Sequence, residues 1–179
     1  MILYYLLFAW GLIGLIAFFY LLKEPAPYGK HIKEDSKYFL GSKTGWIFME
    51  SPAFYLMLLF FLIFGDYKNY VQIVLTFLFC LHYFNRSFIW PIRAQTNLKK
   101  MPLKIAISAF GFNVVNVFFQ GTWIFFLIDY EESWLLSIWF ILGLAVFFSG
   151  MIINIISDEI MMNLKTVSYT HLTLPTMMS

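Results

Sequence analysis

The chain places an acid and a phenol in segments that are otherwise strongly apolar. Glu50 lies in Trp46-Ile-Phe-Met-Glu-Ser-Pro-Ala-Phe54, inside an apolar run long enough to cross a bilayer. Ionisable groups are costly at membrane depth, so such an acid is a candidate functional residue with a partner elsewhere in the chain. The segment His82-Tyr-Phe-Asn-Arg-Ser-Phe88 supplies a phenol, Tyr83, and a guanidinium, Arg86, at the end of the next apolar run. A phenol and a desolvated, neutral carboxyl group can both donate hydrogen bonds to an oxygen that gathers negative charge.

The composition indicates that a bilayer surrounds much of the chain. Of 179 residues, 61% are hydrophobic, 22% are aromatic and only 12% are charged, which is more apolar surface than a soluble domain can bury. Apolar runs of roughly twenty residues predict membrane-spanning helices at 2–22, 46–64, 70–92, 105–128 and 134–156. The predicted fold class is therefore all-α, a polytopic transmembrane helix bundle with five spans.

The basic residues divide unevenly between the two ends of these spans. The loops after spans one and three and the tail after span five share one side, and they hold ten of the 12 Lys and Arg residues. The opposite loops hold Lys68 as their one cation, together with four acids. Because positive charge marks cytoplasmic loops, the N-terminus is predicted to lie outside and the tail in the cytoplasm. The ten basic residues are Lys23, Lys30, Lys33, Lys37, Lys43, Arg93, Lys99, Lys100, Lys104 and Lys165.

With this topology, polar side chains gather in the cytoplasmic half of the bundle. Glu50 lies about one helical turn in from the start of span two, and the His82–Arg86 segment occupies the corresponding end of span three. Further polar residues, spaced three or four apart and so sharing a helix face, are Asn113, Asn116 and Gln120 in span four and Asn154 and Asp158 in span five. A one-sided polar pocket of this kind fits an enzyme that takes an apolar substrate from lipid and a charged cofactor from water.

Each of these residues also has a structural interpretation. The Glu50 carboxylate can extend to the interface or accept hydrogen bonds from neighbouring helices. Tyr83 is a typical aromatic-belt residue, and Arg86 near a helix C-terminus interacts favourably with the helix dipole. The amides of span four can join helices, and Asn154 with Asp158 can cap a helix end. Convergence of all these groups on one half of the membrane favours a site.

Several other kinds of site are not indicated. Three scattered histidines offer no metal-ligand spacing, so no metal is expected. A single cysteine, Cys80, excludes an internal disulfide. No glycine-rich phosphate loop, nucleophile elbow or pattern suited to nucleic acid is present, and no internal repeat of the transporter kind is found.

Four segments together resemble the steroid 5α-reductase family, and the resemblance covers residues 1–165. The four are Ala26-Pro-Tyr-Gly-Lys-His31, Gly45-Trp-Ile-Phe-Met-Glu-Ser-Pro52, His82-Tyr-Phe-Asn-Arg-Ser-Phe88 and Gly150-Met-Ile-Ile-Asn-Ile-Ile-Ser-Asp158. Their order and spacing are those of the family, and the second is similar to the form found in plants. The resemblance implies a membrane enzyme that uses NADPH to reduce the C=C bond of an enone such as a 3-oxo-Δ4 steroid.

The resemblance also implies roles for individual residues. Glu50 and Tyr83 correspond to the catalytic pair at the substrate ketone. Trp46 and Phe112 fall where the family lines its steroid pocket. The positions that correspond to NADPH contacts are Asn154, Asp158 and Lys165.

The chain departs from the family pattern at three points. Met49 stands where animal members have glutamine, and Lys165 stands where arginine is usual, so a bidentate phosphate contact is absent. Family members also continue well beyond this length. We therefore expect a reductase domain at 1–165, a non-family tail at 166–179 that resembles read-through or an assembly artefact, and little or no activity from a chain of this length.

Other functions remain open at this stage. A reductase of enoyl thioesters or of sterol double bonds shares part of the same pattern. A non-catalytic membrane scaffold or transporter could use the same polar pocket. For the enzyme, the expected location is the endoplasmic reticulum membrane in a eukaryote or the inner membrane in a bacterium, with the site open to the cytoplasm and with no nucleic-acid partner.

Overall fold

The computed structural model describes residues 2–24, 26, 37–94 and 100–171, with side chains described up to 163. Within them, five helices are long and apolar enough to cross a membrane: Ile2–Lys23, Ser42–Phe64, Tyr70–Arg93, Leu103–Leu127 and Ile138–Asn163. These correspond one to one with the five predicted spans. The all-α, polytopic fold class is confirmed, and the protein is an integral membrane protein. Its orientation across the membrane stays a prediction.

Helix α1 (Ile2–Lys23) buries none of its residues. Its side chains are apolar on every face, as expected for a helix that lies mainly against lipid. Trp10 of this helix stacks on Phe112 of the fourth span, with ring centroids 6.0 Å apart.

A short antiparallel sheet, which the sequence analysis did not predict, joins two of the spans at one end. Strand β1 (Phe39–Gly41) pairs with β2 (Lys100–Pro102), with Leu40 opposite Met101. Helix α2 (Ser42–Phe64) follows β1 directly and helix α5 (Leu103–Thr122) follows β2. The pairing therefore holds the first turns of α2 and α5 at the same level. Because α2 begins at Ser42 rather than at 46, Glu50 lies roughly two helical turns into its helix and not one.

The third span is a helix interrupted by one widened turn. Helix α3 (Tyr70–Phe84) is capped by Asn69, whose side chain accepts a hydrogen bond from the Gln72 backbone N–H. A π-helical turn, Asn85–Ile89, then leads into the short helix α4 (Trp90–Arg93). Pro91 explains the interruption, because its ring has no N–H and crowds the preceding turn.

The fourth and fifth spans are also apolar helices, and a π-helical turn and a 3₁₀ helix lie between them. Helix α5 continues through a π-helical turn, Trp123–Leu127, and residues Glu132–Leu136 form a 3₁₀ helix. Helix α6 (Ile138–His171) starts later than the predicted 134 because Ser137 caps it. The Ser137 hydroxyl accepts the Phe140 backbone N–H at 3.2 Å, which is the contact of an N-cap residue.

Helices α2, α3 and α5 form the centre of the bundle. One buried cluster contains Ala53 and Met57 of α2 with Val117 and Ile124 of the fourth span. A second, nearer the sheet, joins Met49, Met101 and Ala106. The most apolar part of α6, like that of α1, buries no residue within the described chain, so both helices lie at the outside of the bundle.

Candidate active site

Glu50 faces α5 from inside α2. One carboxylate oxygen, Oε2, accepts a hydrogen bond from Asn113 Nδ2 at 3.2 Å, and the side chain is 15% exposed. The same amide nitrogen donates to the Met49 carbonyl oxygen at 2.7 Å. Asn113 is itself buried, so its amide holds both the backbone and the acid of α2 in place. The acid does not point into the surrounding lipid.

Tyr83 reaches the same face of α5 from α3. Its hydroxyl oxygen accepts a hydrogen bond from Asn116 Nδ2 at 3.0 Å. Asn113 and Asn116 are three residues apart and therefore neighbours on the helix surface. Helix α5 thus presents two amides side by side, one to the acid and one to the phenol. A phenol that accepts from an amide still has its single O–H free to donate.

Arg86 lies in the π-helical turn, between two acids from different helices. Its Nε is 3.9 Å from Glu50 Oε1, and its Nη1 is 3.4 Å from Asp158 Oδ2 of α6. The guanidinium carbon also lies 4.7 Å from the ring centroid of Trp46 and 5.0 Å from that of Trp90. Contacts of a cation with two aromatic faces restrict how its plane can turn.

Helix α6 brings a second ion pair and a small opening to this end of the bundle. Arg93 pairs with Glu159, next to the inner pair of Arg86 and Asp158. Asn85, Trp90, Arg93, Asp158 and Glu159 are among the residues that line an opening of about 10 Å³. The buried Trp90 indole nitrogen has no hydrogen-bond partner among the described residues. The opening therefore combines a guanidinium, an amide and an unused donor.

The structure brings together some of the residues expected from the sequence and separates others. Glu50, Trp46 and Asp158 belong to one network through Asn113 and Arg86. Tyr83 is held beside this network by Asn116, the neighbour of Asn113 on the surface of α5. Asn154 is half-buried and lies one helical turn before Asp158 on α6.

Two expected residues are not part of this network. Phe112 is 54% exposed and stacks on Trp10 of α1, so its ring faces α1. Lys165 belongs to helix α6, but its side chain lies outside the described residues, as does the segment 27–31.

The network includes residues to which the sequence analysis assigned no catalytic or binding role. The three-residue spacing of Asn113 and Asn116 places them on one helix face, and that spacing is the signal in the sequence. For Arg86 the signal is a guanidinium at membrane depth. The contact of Trp90 with Arg86 could not be predicted from the sequence, because it depends on the path of the helix through the π-helical turn.

Comparisons with known proteins agree on one family. A family model described as 3-oxo-5-alpha-steroid 4-dehydrogenase matches residues 99–178. The match runs past Lys165, so the domain boundary at 165 stays a prediction.

Curated relatives from plants and mammals are similar over most of the chain. Steroid 5-alpha-reductase DET2 of Solanum lycopersicum is 35% identical over 144 residues, 79% of this chain and 56% of the relative. The 3-oxo-5-alpha-steroid 4-dehydrogenase 2 of Homo sapiens is 30% identical over 161 residues, 86% of this chain and 61% of the relative. The corresponding enzyme 1 of Bos taurus is 28% identical over 167 residues, 91% of this chain and 65% of the relative. The chain thus spans between half and two thirds of the length of these relatives, and over that span it is similar to steroid 5α-reductases.

Proposed function

We propose that the protein to which this chain belongs reduces the C=C bond of a lipophilic enone, such as a 3-oxo-Δ4 steroid, with NADPH as the reductant. The observation that supports this most directly is the pairing of Glu50 and Tyr83 through adjacent amides of α5, at 3.2 Å and 3.0 Å. Relatives named as 3-oxo-5-alpha-steroid 4-dehydrogenases support the substrate class.

In this proposal Tyr83 and Glu50 act on the substrate carbonyl. Bound NADPH would supply a hydride for the β carbon of the enone, negative charge would develop on the ketone oxygen as an enolate forms, and a proton from water would then add at the α carbon. The Tyr83 hydroxyl donates to that oxygen, and a protonated Glu50 donates beside it. A preorganised donor of this kind contributes about 3–4 kcal/mol to the stability of the developing enolate. An acid kept neutral next to a tyrosine is an established arrangement for holding an enolate.

Asn113 and Asn116 are proposed to orient the two donors. Each amide fixes one side chain against α5, so the donors need not reorganise as the charge forms. Trp46 stays a proposed substrate contact because it lies beside Arg86 within the network. Phe112, whose ring faces α1, is proposed as a substrate contact on the family resemblance alone.

The cofactor is proposed to bind where α4 meets α6. The groups there suit parts of a dinucleotide: Arg93 can pair with phosphate, the unused Trp90 indole N–H can donate, and the Asp158 carboxylate can accept from hydroxyl or amide groups. Asn154, one helical turn before Asp158 on α6, is proposed as a further contact on the family resemblance. Lys165 is proposed as a further phosphate contact. Since the opening holds only about 10 Å³ and Arg93 pairs with Glu159 across it, binding requires α6 to move away from α4.

The site is proposed to open to the cytoplasm, on the side of the ten basic residues. A cytoplasmic opening gives access to NADPH, and the apolar spans give access to a substrate dissolved in lipid. In a eukaryote the membrane would be that of the endoplasmic reticulum, and in a bacterium the inner membrane.

The proposal is tested by turnover in membranes that carry this chain or the complete reading frame that encodes it. Loss of a 3-oxo-Δ4 steroid and oxidation of NADPH are measured together, with an enoyl-CoA as the competing substrate class. We expect Tyr83→Phe and Glu50→Gln each to lower turnover on the order of 100-fold or more. Tyr55→Phe is the matched control, because that tyrosine is 57% exposed on α2 and outside the network. Near-normal rates in both site variants would contradict the proposal. So would the absence of steroid reduction both by this chain and by the protein of the complete reading frame.

A further inference from the structure

Four lysines surround the β1–β2 sheet, where α2 and α5 begin. At one end of the sheet, Gly41 of β1 pairs with Lys100 of β2. Partner residues in such a ladder have Cα atoms about 5 Å apart. Because α2 begins at Ser42, its second residue, Lys43, lies close to Lys100. This end of the sheet therefore holds two neighbouring lysines.

The other end of the sheet holds a second pair of lysines. The Leu103 backbone N–H donates a hydrogen bond to the Tyr38 carbonyl oxygen at 3.0 Å. The residues next to this bond are Lys37, before the acceptor, and Lys104, after the donor, so these two lysines are also neighbours. Each strand has three residues, a length of about 10 Å, and both pairs therefore lie on one small area of the surface. The four residues are referred to below as the lysine cluster: Lys37, Lys43, Lys100 and Lys104.

The described part of the protein does not neutralise the lysine cluster. Three of its members are exposed and Lys43 is half-buried. None of the four forms an ion pair with a residue that the structure describes. Lys43 and Lys104 also lie in the first turns of α2 and α5, which contain no acid and where a cation interacts unfavourably with the helix dipole. Like charges at this spacing repel one another, so an anion from outside the chain is favoured here.

Aromatic rings lie beside the lysine cluster and beneath it. Tyr38 is 71% exposed and Phe39 is 38% exposed, and rings at the ends of membrane spans are typical of the headgroup level. About two helical turns further into the bundle, Phe48 of α2 stacks on Phe110 of α5, with ring centroids 5.0 Å apart. Both of these deeper rings are exposed on the outside of the bundle. The line along which α2 meets α5 thus combines cations at the interface with apolar rings at the depth of the acyl chains.

We propose that the lysine cluster binds the headgroup of an anionic phospholipid, with an acyl chain of that lipid against Phe48 and Phe110. The predicted topology places the cluster at the cytoplasmic leaflet, whose anionic lipids attract basic residues near the membrane surface. A lipid suits this surface better than a dissolved anion does. Its headgroup meets the ammonium groups while its chain covers the exposed rings, whereas inorganic phosphate or a nucleotide meets only the lysines.

A lipid bound to the cluster stabilises the end of the bundle that positions Glu50. Met101 of β2 packs with Met49 of α2 in the buried cluster next to the sheet. The Met49 carbonyl oxygen accepts a hydrogen bond from Asn113, the same amide that donates to Glu50. Neutralising the lysines around the sheet therefore steadies the two helix starts on which this arrangement depends. Lipid binding itself is independent of the proposed reaction.

The experiment measures lipid binding to the full chain in detergent by native mass spectrometry. The probes are dioleoylphosphatidylglycerol and dioleoylphosphatidylcholine, which have the same acyl chains and differ in headgroup charge. We expect the anionic lipid to bind at least roughly tenfold more tightly. Lys100→Gln with Lys104→Gln should weaken its binding roughly tenfold or more, since each lysine near an anionic surface contributes a factor of about five.

The matched control removes the same charge from another part of the molecule. Lys23 at the end of α1 and Lys68 between α2 and α3 are exposed and lie outside the lysine cluster. Lys23→Gln with Lys68→Gln should leave the affinity for phosphatidylglycerol within about twofold of the wild type. Equal losses in the two double variants would show attraction to net charge alone and would overturn the lysine cluster as a binding surface.

Thermal unfolding in nanodiscs separates a loss of binding from a loss of folding. In phosphatidylcholine alone, the Lys100→Gln, Lys104→Gln variant should unfold at the wild-type temperature or slightly above it, because two repelling charges are gone. Addition of phosphatidylglycerol should raise the unfolding temperature of the wild type by about 2–4 °C and leave that of the variant unchanged. An equal rise in both proteins would contradict the proposal.

Two further comparisons test whether the occupant is a lipid. Glycerol 3-phosphate and NADPH carry phosphate without acyl chains, and neither should displace phosphatidylglycerol at equal concentration. Displacement by either one would assign the lysines to a dissolved anion and overturn the lipid as the occupant. Phe48→Ala should weaken the binding of the dioleoyl lipid roughly threefold, because part of the apolar contact is lost. Unchanged affinity in that variant would overturn the placement of the acyl chain.

Discussion

Arg86 and Asp158 form an ion pair between the third and fifth spans, with Nη1 and Oδ2 3.4 Å apart. The same guanidinium is 3.9 Å from Glu50 through its Nε atom. One cation therefore connects the proposed catalytic acid of α2 with the helix proposed to bind cofactor. The most apolar part of α6 buries no residue within the described chain, so polar contacts of this kind matter for its position.

Replacement of Asp158 by asparagine should loosen this connection. The pair is partly buried, at 23% and 22% exposure, and the change removes a charged acceptor from Arg86. We expect the free energy of unfolding to fall by about 1.5 kcal/mol, the lower end for a hydrogen bond to a charged group. Thermal unfolding in detergent measures the loss of stability. Limited proteolysis then measures whether α6 is cut faster in the variant than in the wild type.

Glu159→Gln is the control for that prediction, because the neighbouring residue makes the same kind of pair at the surface. Its pair with Arg93 is 50% and 36% exposed, and exposed pairs contribute about 0–1 kcal/mol. The variant should therefore unfold close to the wild type. Equal losses from the two variants would show that Arg86 has no special part in holding α6.

Asn116→Leu should lower turnover less than the loss of the Tyr83 hydroxyl itself. The leucine cannot donate to the phenol, so Tyr83 keeps its O–H but loses the contact at 3.0 Å that orients it. We expect a decrease of roughly tenfold in turnover with little change in folding. Ser108→Ala on the same helix is the control, because that exposed hydroxyl donates to the Ile105 carbonyl within its own helix. A decrease as large as that of Tyr83→Phe would assign Asn116 a direct part in the chemistry.

The five spans could be predicted because apolar length depends on composition alone. The β1–β2 sheet could not. Its strands, 39–41 and 100–102, have three residues each and show no alternating pattern, so their pairing depends on tertiary structure. The start of α6 differs from the predicted 134 because apolar length does not locate a helix end, whereas the N-cap residue Ser137 does.

The candidate site was predictable where polar residues stand out in apolar segments, as Glu50 and Tyr83 do. Which neighbours they meet was not predictable. The π-helical turn at 85–89 changes the direction in which Arg86 points relative to Tyr83, and spacing along a regular helix does not reveal this. Phe112 shows the same limit, since sequence position alone could not say which side of α5 its ring occupies.

Gly121→Ala should destabilise the contact between α2 and α5. A Cβ atom at this position would lie 2.5 Å from a ring carbon of Phe60, closer than real side chains approach. Overpacking of this kind costs about 1–3 kcal/mol, against a gain of about 1 kcal/mol in helix propensity. We expect a net loss of stability in thermal unfolding. Gly111→Ala on the same helix meets nothing within 4 Å and should be neutral or slightly stabilising. The same result for both variants would show that the two helices are not closely packed at Gly121.

The orientation of the bundle is tested by labelling cysteines at the two ends of the spans. In a Cys80→Ala background, Lys68→Cys places a thiol in the turn between α2 and α3, and Lys100→Cys places one in β2 at the other end. Both lysines are exposed. Since basic residues mark the cytoplasmic side, a membrane-impermeant maleimide should label only Lys68→Cys in intact bacterial spheroplasts. Lys100→Cys should react after the membrane is opened. The reverse pattern would turn the Arg86 end of the bundle away from cytoplasmic NADPH and would contradict the proposed access of the cofactor.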